Sequence, residues 1–196
     1  MSEVYKDQIY TPFTAGKKDL TILDVGAHIG IASLYFSQFA KVVYALEPSV
    51  EHFDCLTRMI AFNQIKNIKP YCLALYIKEG EYPFFHPPNK TSYSLMNLGV
   101  DPSQSETVKT ITLDHFFEQE KIDHVDLMKL DVEGSEVEIL SHPTFKKVAD
   151  KIDTILVESH SWNNRHPNQL KEALKNAGFT VENIPNDAQL FVAKRK

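Results

Sequence analysis

Short apolar and β-branched runs alternate with longer helical patterns along most of this 196-residue chain. Such an alternation is typical of a parallel sheet wrapped by helices, because each parallel strand needs a crossover before the next one begins. The predicted strands are residues 20–25, 42–46, 68–75, 125–130 and 151–158. The predicted helices are residues 29–39, 50–63, 135–140 and 169–177.

Two regions depart from this alternation. Residues 180–184 and 189–193 are two further short strands, and Asn186-Asp187 between them predicts a tight turn and hence an antiparallel hairpin. Residues 78–106 contain prolines and aromatic residues without clear periodicity, which predicts an irregular, partly β insertion over one edge of the sheet. The chain is therefore expected to form one α/β domain with a mostly parallel seven-stranded sheet, a C-terminal antiparallel hairpin and helices on both faces.

A glycine-containing loop, DVGAHIG, runs from Asp24 to Gly30 between the first predicted strand and the first predicted helix. Gly26 and Gly30 allow a sharp turn and a close approach of the backbone to a ligand. Glu47 ends the second strand, where a carboxylate can accept hydrogen bonds from the ribose hydroxyls of an adenosine-containing cofactor. Together the loop and the acid predict a nucleoside-cofactor site on a Rossmann-like fold.

The spacing and charge of this loop favour S-adenosylmethionine over a dinucleotide. A dinucleotide site requires G-x-G-x-x-G, whereas this loop has G-x-x-x-G and carries His28 at the expected middle glycine. Asp24 would repel a pyrophosphate but attracts, directly or through water, the ammonium and sulfonium groups of S-adenosylmethionine. Capping of the following helix is an alternative role for Asp24. That role does not account for the loop glycines and Glu47 as well.

Charged residues also end the fourth predicted strand. Lys129, Asp131 and Glu133 alternate, so they project to one side of the strand. Three charges on one face are costly to bury without partners, and ligands collect at the carboxyl ends of parallel strands. Asp131 is expected to orient the substrate or the cofactor, and Glu133 is one candidate for a general base. A structural ion-pair cluster is the alternative interpretation.

The fifth predicted strand ends with Glu158 and His160, which alternate in the same way. His160 is a second candidate for the general base, because the ordinary pKa of histidine lies near neutral pH. A purely structural histidine is the alternative. Trp162 in the following loop is a candidate for stacking on a sugar ring or for ordinary packing. No metal is expected: His160 and the nearby carboxylates are capable of binding a divalent ion, but the chain has no H-E-x-x-H motif or comparable ligand spacing.

Five motifs resemble those of the FkbM-type methyltransferase family, whose members depend on S-adenosylmethionine. They are DVGAHIG (24–30), ALEP (45–48), TLDHF (112–116), KLDVEGSE (129–136) and VES (157–159). The resemblance spans about residues 20–192 and implies a Rossmann-like class I methyltransferase fold. It also implies O-methylation, often of sugar or polyketide hydroxyl groups. His28 stands where the family usually has asparagine.

The resemblance assigns roles by position in these motifs. It implies that the cofactor is bound by the glycine loop and by the acids at the strand ends, a set comprising Asp24, Gly26, His28, Gly30, Glu47 and Asp131. It implies that Asp131 and Glu133 are the acids nearest to the methyl group. With His160, these two acids are the predicted catalytic residues.

Composition narrows the choice of partners. The formal net charge is −5 and no basic stripe is present, which argues against a nucleic-acid partner. The chain has no signal peptide and no apolar stretch of about 20 residues, so a cytoplasmic protein without a membrane span is expected. The expected partner is a small-molecule or glycan acceptor. An NAD-dependent oxidoreductase and a non-catalytic Rossmann-like binding protein are the alternatives.

The insertion at 78–106 has two interpretations. Its apolar and aromatic residues suit a cover over the acceptor side of the cleft that excludes water from the reaction: Tyr82, Phe84, Phe85, Tyr93, Leu95 and Met96. The same residues would serve equally well in a fixed hairpin packed on the sheet edge.

Overall fold

The computed structural model describes residues 9–86, 93–97, 99–160, 167–185, 187 and 189–196. In chain order its strands are β1 (Leu20–Val25), β2 (Ala40–Leu46), β3 (Ile68–Tyr71), β4 (Ala74–Leu75), β5 (Gly80–Phe85), β6 (Ser105–Ile111), β7 (Val125–Leu130), β8 (Ile152–Glu158), β9 (Phe179–Asn183) and β10 (Leu190–Arg195). Its helices are α1 (Thr11–Thr14), α2 (Ile31–Phe36), α3 (Val50–Phe62), α4 (Leu113–Glu120), α5 (Glu136–Ser141), α6 (Pro143–Lys146) and α7 (Pro167–Asn176). A short 3₁₀ helix covers Ala149–Lys151.

A seven-stranded sheet with the order β3-β2-β1-β7-β8-β10-β9 forms the centre of the molecule. Strands β1, β2, β3, β7 and β8 run parallel, whereas β10 pairs antiparallel with both β8 and β9. The predicted Rossmann-like architecture with a C-terminal hairpin is confirmed. The strand order reverses between β1 and β7, and in an open α/β sheet ligands bind beyond the carboxyl ends of the strands at such a point.

The central strands are buried on both faces of the sheet, and their side chains alternate between two cores. In β1, Leu23 and Val25 face a core that is completed by residues of α4, α5, α6 and α7, while Ile22 faces a core completed by α1, α2 and α3. This arrangement confirms the expected helices on both faces. Because side chains along a strand alternate, Asp24 lies on the same side as Ile22 and points towards α2.

The predicted third strand, residues 68–75, is wrong as a single element. Its first half is β3, which pairs with β2, whereas Ala74–Leu75 leaves the main sheet and pairs with β6. The predicted insertion is more regular than expected, because β4, β6 and β5 form a second sheet. Pro83 lies in β5, an edge strand, where a missing backbone N–H is tolerated. Pro87 and Pro88 lie outside the described residues.

The helices differ from prediction mainly at their ends. The first predicted helix, 29–39, contracts to Ile31–Phe36, because Gly30 has a φ of 93° and cannot continue a right-handed helix. The short helices α4 and α6 were not predicted. No helix in the described part of the chain is long and apolar enough to cross a bilayer.

Candidate active site

A cavity of about 320 Å³ opens at the carboxyl ends of β1, β2, β7 and β8, beside the switch point. Five of the predicted site residues line it, namely Gly26, His28, Glu47, Asp131 and Glu133. Three others, Asp24, Gly30 and His160, lie behind its wall. The rest of the lining includes Leu75 of β4, Phe84 of β5, and Tyr93 and Leu95 between β5 and β6. The cavity therefore has a carboxylate side and an apolar side.

The glycine loop packs directly against the end of β7. Gly26 has a φ of 78°, and a Cβ atom there would lie 1.7 Å from the backbone oxygen of Asp131, so no side chain fits. His28 has a φ of 52°. This left-handed region is one that asparagine, aspartate and histidine enter more readily than other residues with side chains. The family's usual asparagine and the histidine found here thus meet the same backbone requirement.

Asp24 lies one layer beneath the cavity and is fully buried. The Ser33 hydroxyl donates a hydrogen bond to its Oδ2 at 2.5 Å, and the Lys129 ammonium lies 3.6 Å from its Oδ1. Burial raises the pKa of Asp24, and the positive charge of Lys129 opposes that effect. In this position Asp24 acts on the cavity through Lys129 rather than by direct contact.

Lys129 connects this buried layer to the cavity wall. Its Nζ donates to the backbone oxygen of Gly26 at 3.0 Å and to Oδ2 of Asp131 at 3.2 Å. Burial alone would lower the pKa of Lys129, but the charges of Asp131 and Asp24 outweigh burial and raise it. The ammonium therefore stays charged and fixes the glycine loop relative to Asp131.

Glu47 lies on the cavity wall with both carboxylate oxygens already engaged. Oε2 accepts a hydrogen bond from the backbone N–H of His28 at 2.8 Å, and Oε1 accepts one from Ser49 at 2.9 Å. His52 Nδ1 lies 3.6 Å from Oε1. Because a carboxylate has about four lone-pair positions, Glu47 keeps capacity for further donors from the cavity.

His160 lies at the centre of a group of carboxylates. Its Nδ1 is 2.8 Å from Oε1 of Glu136, and its Nε2 is 3.3 Å from Oε2 of Glu133 and 3.9 Å from Oδ1 of Asp131. Glu158 Oε1 is also 3.8 Å from Nε2. The sequence patterns bring Asp131, Glu133 and His160 together as expected, but they did not single out Glu136.

The pKa values of two residues in this group, His160 and Glu133, are both raised. Burial lowers the pKa of His160, but the hydrogen bond that it donates to Glu136 and the charge of Glu133 outweigh burial and raise the pKa to about 9. Burial, opposed by His160 but reinforced by Asp131, raises the pKa of Glu133 to about 7. At neutral pH His160 is therefore an imidazolium, which does not accept a proton.

A series of ring contacts joins the glycine loop to residues that follow β5. The ring centroids of His28 and His52 are 4.1 Å apart, those of His52 and Tyr93 are 4.7 Å apart, and those of Tyr93 and His86 are 4.2 Å apart. Ser94 adds a hydrogen bond of 2.7 Å from its hydroxyl to the backbone oxygen of Glu133. These contacts link residues that are distant in sequence, so no local sequence pattern predicts them.

One further prediction concerns Trp162, and a second group of titratable side chains lies at the other edge of the sheet. Trp162 and the rest of its loop lie outside the described residues. A second histidine–carboxylate group, His124 with Asp126 and Asp153, lies at the opposite, amino-terminal edge of β7 and β8. The side chain of His124 is 48% exposed.

Comparisons with known proteins identify the class of the chain. Hexuronic acid methyltransferase AglP of Haloferax volcanii is 25% identical over 97% of this chain and 77% of its own length. Methyltransferase sdnD of Sordaria araneosa is 24% identical over 89% of this chain and 81% of its own length.

Solved structures agree on the fold. Magnesium protoporphyrin IX methyltransferase of Synechocystis, solved with bound S-adenosylmethionine, superposes with a TM-score of 0.60 at 12% identity, covering 97% of this chain and 77% of its own. A putative methyltransferase of Streptococcus mutans, SMU.1697c, in complex with S-adenosylhomocysteine, superposes with a TM-score of 0.57 at 12% identity over 97% of both chains. The family model described as "Methyltransferase FkbM domain" matches residues 24–181 of this chain. The chain therefore belongs to the FkbM family of S-adenosylmethionine-dependent methyltransferases.

Proposed function

We propose that this protein transfers the methyl group of S-adenosylmethionine to a hydroxyl group of a sugar or of another small-molecule or glycoconjugate acceptor. The observation that carries the proposal is the cavity at the switch point, where Glu47, Asp131 and Glu133 face an apolar wall. Its volume of about 320 Å³ falls at the lower end of the range of small-molecule sites, about 300–1,000 Å³.

The donor set fits this cofactor by its chemistry. S-adenosylmethionine carries ammonium and sulfonium groups, which carboxylates attract, and a ribose diol, which donates hydrogen bonds to a carboxylate. Among the described residues, the cavity is lined by Glu47, Asp131 and Glu133 and by no lysine or arginine, and this negative charge disfavours a pyrophosphate. In the proposal Glu47 binds the ribose, Gly26, His28 and Gly30 shape the loop, and Asp24 holds the loop through Lys129.

When bound, the cofactor supplies a methyl group activated by the sulfonium. The side chains of the protein do the rest: they hold the acceptor oxygen in line with that methyl group and exclude water. Asp131, fixed by Lys129, orients the reacting groups. Glu133 lies on the cavity wall and is placed to accept the hydroxyl proton, while His160 lies behind it and stabilises its charge.

The sugar acceptor is supported by two observations. The relative from Haloferax volcanii is named a hexuronic acid methyltransferase. The cavity lining includes Leu75, Phe84 and Leu95, apolar side chains that suit the apolar face of a sugar ring. The sequence has a formal net charge of −5 and no basic stripe, which argues against a nucleic-acid acceptor.

Calorimetric titration and turnover test the proposal. We expect S-adenosylhomocysteine to bind the purified chain with one site and NAD not to bind, which would exclude the oxidoreductase alternative. Transfer of labelled methyl groups should then be measured on a panel of neutral sugars, hexuronates and non-sugar alcohols. Binding without turnover on any acceptor would favour the non-catalytic alternative, and turnover only on non-sugars would refute the sugar acceptor.

A further inference from the structure

Three possible ligand atoms converge behind the cavity wall at the end of β7. One nitrogen of His160, one oxygen of Asp131 and one oxygen of Glu133 all lie within 4.8 Å of one another. A divalent ion with bonds of about 2.0–2.2 Å to nitrogen and oxygen places its ligand atoms about 3–4 Å apart. The observed separations of 3.3 Å and 3.9 Å from Nε2 match that spacing.

The orientation of His160 is a second, independent observation. Only 9% of its side chain is exposed, and its Nδ1 is held by Glu136 at 2.8 Å, so Nε2 is aimed at the two other carboxylates. Glu136 is held in turn by the backbone N–H of Gly134 at 3.0 Å. A carboxylate that fixes the second nitrogen of a histidine in this way is the usual outer support of a metal-ligating histidine.

Among the described residues around this point, carboxyl groups outnumber cationic groups. Five carboxyl groups, those of Asp24, Asp131, Glu133, Glu136 and Glu158, lie within 4 Å of one of two cationic groups, Lys129 and His160. In addition, Oε2 of Glu133 is buried and forms no hydrogen bond within the described residues. Buried carboxylates are retained where a partner or a metal neutralises them.

We propose that Asp131, Glu133 and His160 bind a divalent transition-metal ion, which displaces the proton on Nε2 of His160 into solvent as it binds. The mixture of one imidazole with carboxylates favours a first-row transition ion such as Mn²⁺, because Mg²⁺ and Ca²⁺ sites are built from oxygen atoms alone. Asp131 and Glu133 also line the cavity, so an ion between them has open coordination positions on the substrate side.

The role of the ion rests on the function proposed above, whereas its binding does not. In that role the acceptor hydroxyl oxygen coordinates the ion, which lowers the pKa of the hydroxyl. The proton then leaves to Glu158, which also lines the cavity, because Glu133 serves as a ligand instead of as the base. The new oxygen–carbon bond forms as the sulfur–carbon bond breaks, and the sulfonium becomes a neutral thioether.

Electron paramagnetic resonance of Mn²⁺ tests the binding on the full chain after treatment with EDTA and its removal. We expect one Mn²⁺ per chain, seen as loss of the signal of the free ion. Glu133→Gln and His160→Ala should each weaken binding at least tenfold, and Glu136→Gln should weaken it about tenfold or more, as changes in the outer support of a metal usually do. His124→Ala, in a group of the same residue types, is the matched control and should bind as the wild type does.

Every outcome decides between the site and its alternatives. Equal Mn²⁺ binding by wild type and Glu133→Gln, or loss of binding in His124→Ala alone, would place the ion elsewhere and overturn the proposal. Absence of Mn²⁺ binding by wild type that still binds S-adenosylhomocysteine in EDTA would also overturn it while leaving the proposed function intact. If the wild type bound Mn²⁺ but not S-adenosylhomocysteine, and Glu133→Gln lost the Mn²⁺, the proposed function would be refuted and the ion site retained.

Discussion

A histidine lies among carboxylates at each end of strands β7 and β8, and these two groups differ sharply in their surroundings. At the amino-terminal edge, His124 is 3.2 Å from Asp153 and 3.6 Å from Asp126, and the three side chains are 48%, 54% and 32% exposed. At the carboxyl-terminal edge, His160 is only 9% exposed. Water and salt screen the first group, so its ion pairs contribute little.

The difference shows what converts a set of residue types into a site. The carboxyl-terminal group has Lys129 and Asp24 beneath it and Glu136 behind it, so its side chains are held in place and kept from water. The amino-terminal group has the same kinds of side chain without that enclosure. Composition therefore does not distinguish the two groups, whereas burial and supporting contacts do.

The largest contrast between the two ends is expected for Lys129→Met. Removal of its ammonium leaves Asp24 buried without a cation, and breaking a buried pair in this way costs about 3–5 kcal/mol. Urea unfolding should show this loss, while His124→Ala at the exposed end should leave the free energy of unfolding nearly unchanged. The double variant Lys129→Met/Asp24→Asn should recover part of the loss. Similar stability of Lys129→Met and wild type would show that Lys129 is not the support described here.

Asp131→Asn is expected to have the next largest effect, on turnover. Removing one preorganised electrostatic group from an active site lowers turnover by about 10²–10³-fold. Asp126→Asn is the matched control at the other end of the same strand, and its turnover should stay close to wild type. Single-turnover rates separate chemistry from binding. Equal rates for Asp131→Asn and Asp126→Asn would remove Asp131 from the reacting groups.

A smaller effect, confined to cofactor affinity, is expected for Glu47→Ala. Loss of hydrogen bonds to a charged acceptor should weaken S-adenosylmethionine binding by about 1.5–3 kcal/mol. Glu51→Ala, on the exposed first turn of α3, serves as the control and should titrate as wild type. If calorimetry gave the same dissociation constant for both variants, Glu47 would not be the ribose ligand.

The smallest effect is expected for Tyr93→Leu, between β5 and β6. Tyr93 stacks on His52 and lines the cavity, and an aromatic pair contributes about 0.5–1.5 kcal/mol beyond its buried area. We expect a loss of affinity for S-adenosylhomocysteine no larger than that, because the pair acts on the ligand by holding His52 beside Glu47. Tyr82→Leu is the control, because Tyr82 stacks on Tyr76 away from the cavity.

Hydrogen exchange on the same two variants addresses the motion of the second sheet. A cover that closes on the ligand should exchange more slowly at residues 80–85 and 105–111 once S-adenosylhomocysteine and an acceptor are bound. Slow exchange that neither ligand changes would mean a fixed structural sheet.

The strand ends were predictable because each strand carries its own local pattern. The runs that become β1, β2, β7 and β8 end in acids or glycine, and parallel strands bring such ends to one edge. The support beneath them was not predictable. Asp24 and Lys129 are register partners on neighbouring strands, yet they lie more than a hundred positions apart in sequence. A single sequence does not encode that register in any local pattern.

The misplaced third strand has a similar cause. Residues 68–75 are mostly apolar, which suits one strand, and only their partners reveal the break: β3 pairs with β2, and β4 pairs with β6. Glu136 was also overlooked, because an acid in the first turn of a helix is common for reasons of helix polarity alone. Its contact with His160 depends on how β8 is placed beside β7.

The cavity is lined partly by residues at the strand ends of the main sheet and partly by residues on or beside the second sheet. This division matters for protein engineering. Position 26 admits no substitution, since even a methyl group would collide with the backbone at Asp131. Phe84, Tyr93 and Leu95 belong to a small core of their own, apart from the two cores of the main sheet. A combinatorial library built on those three positions would therefore change the cavity lining and this small core without entering either core of the main sheet.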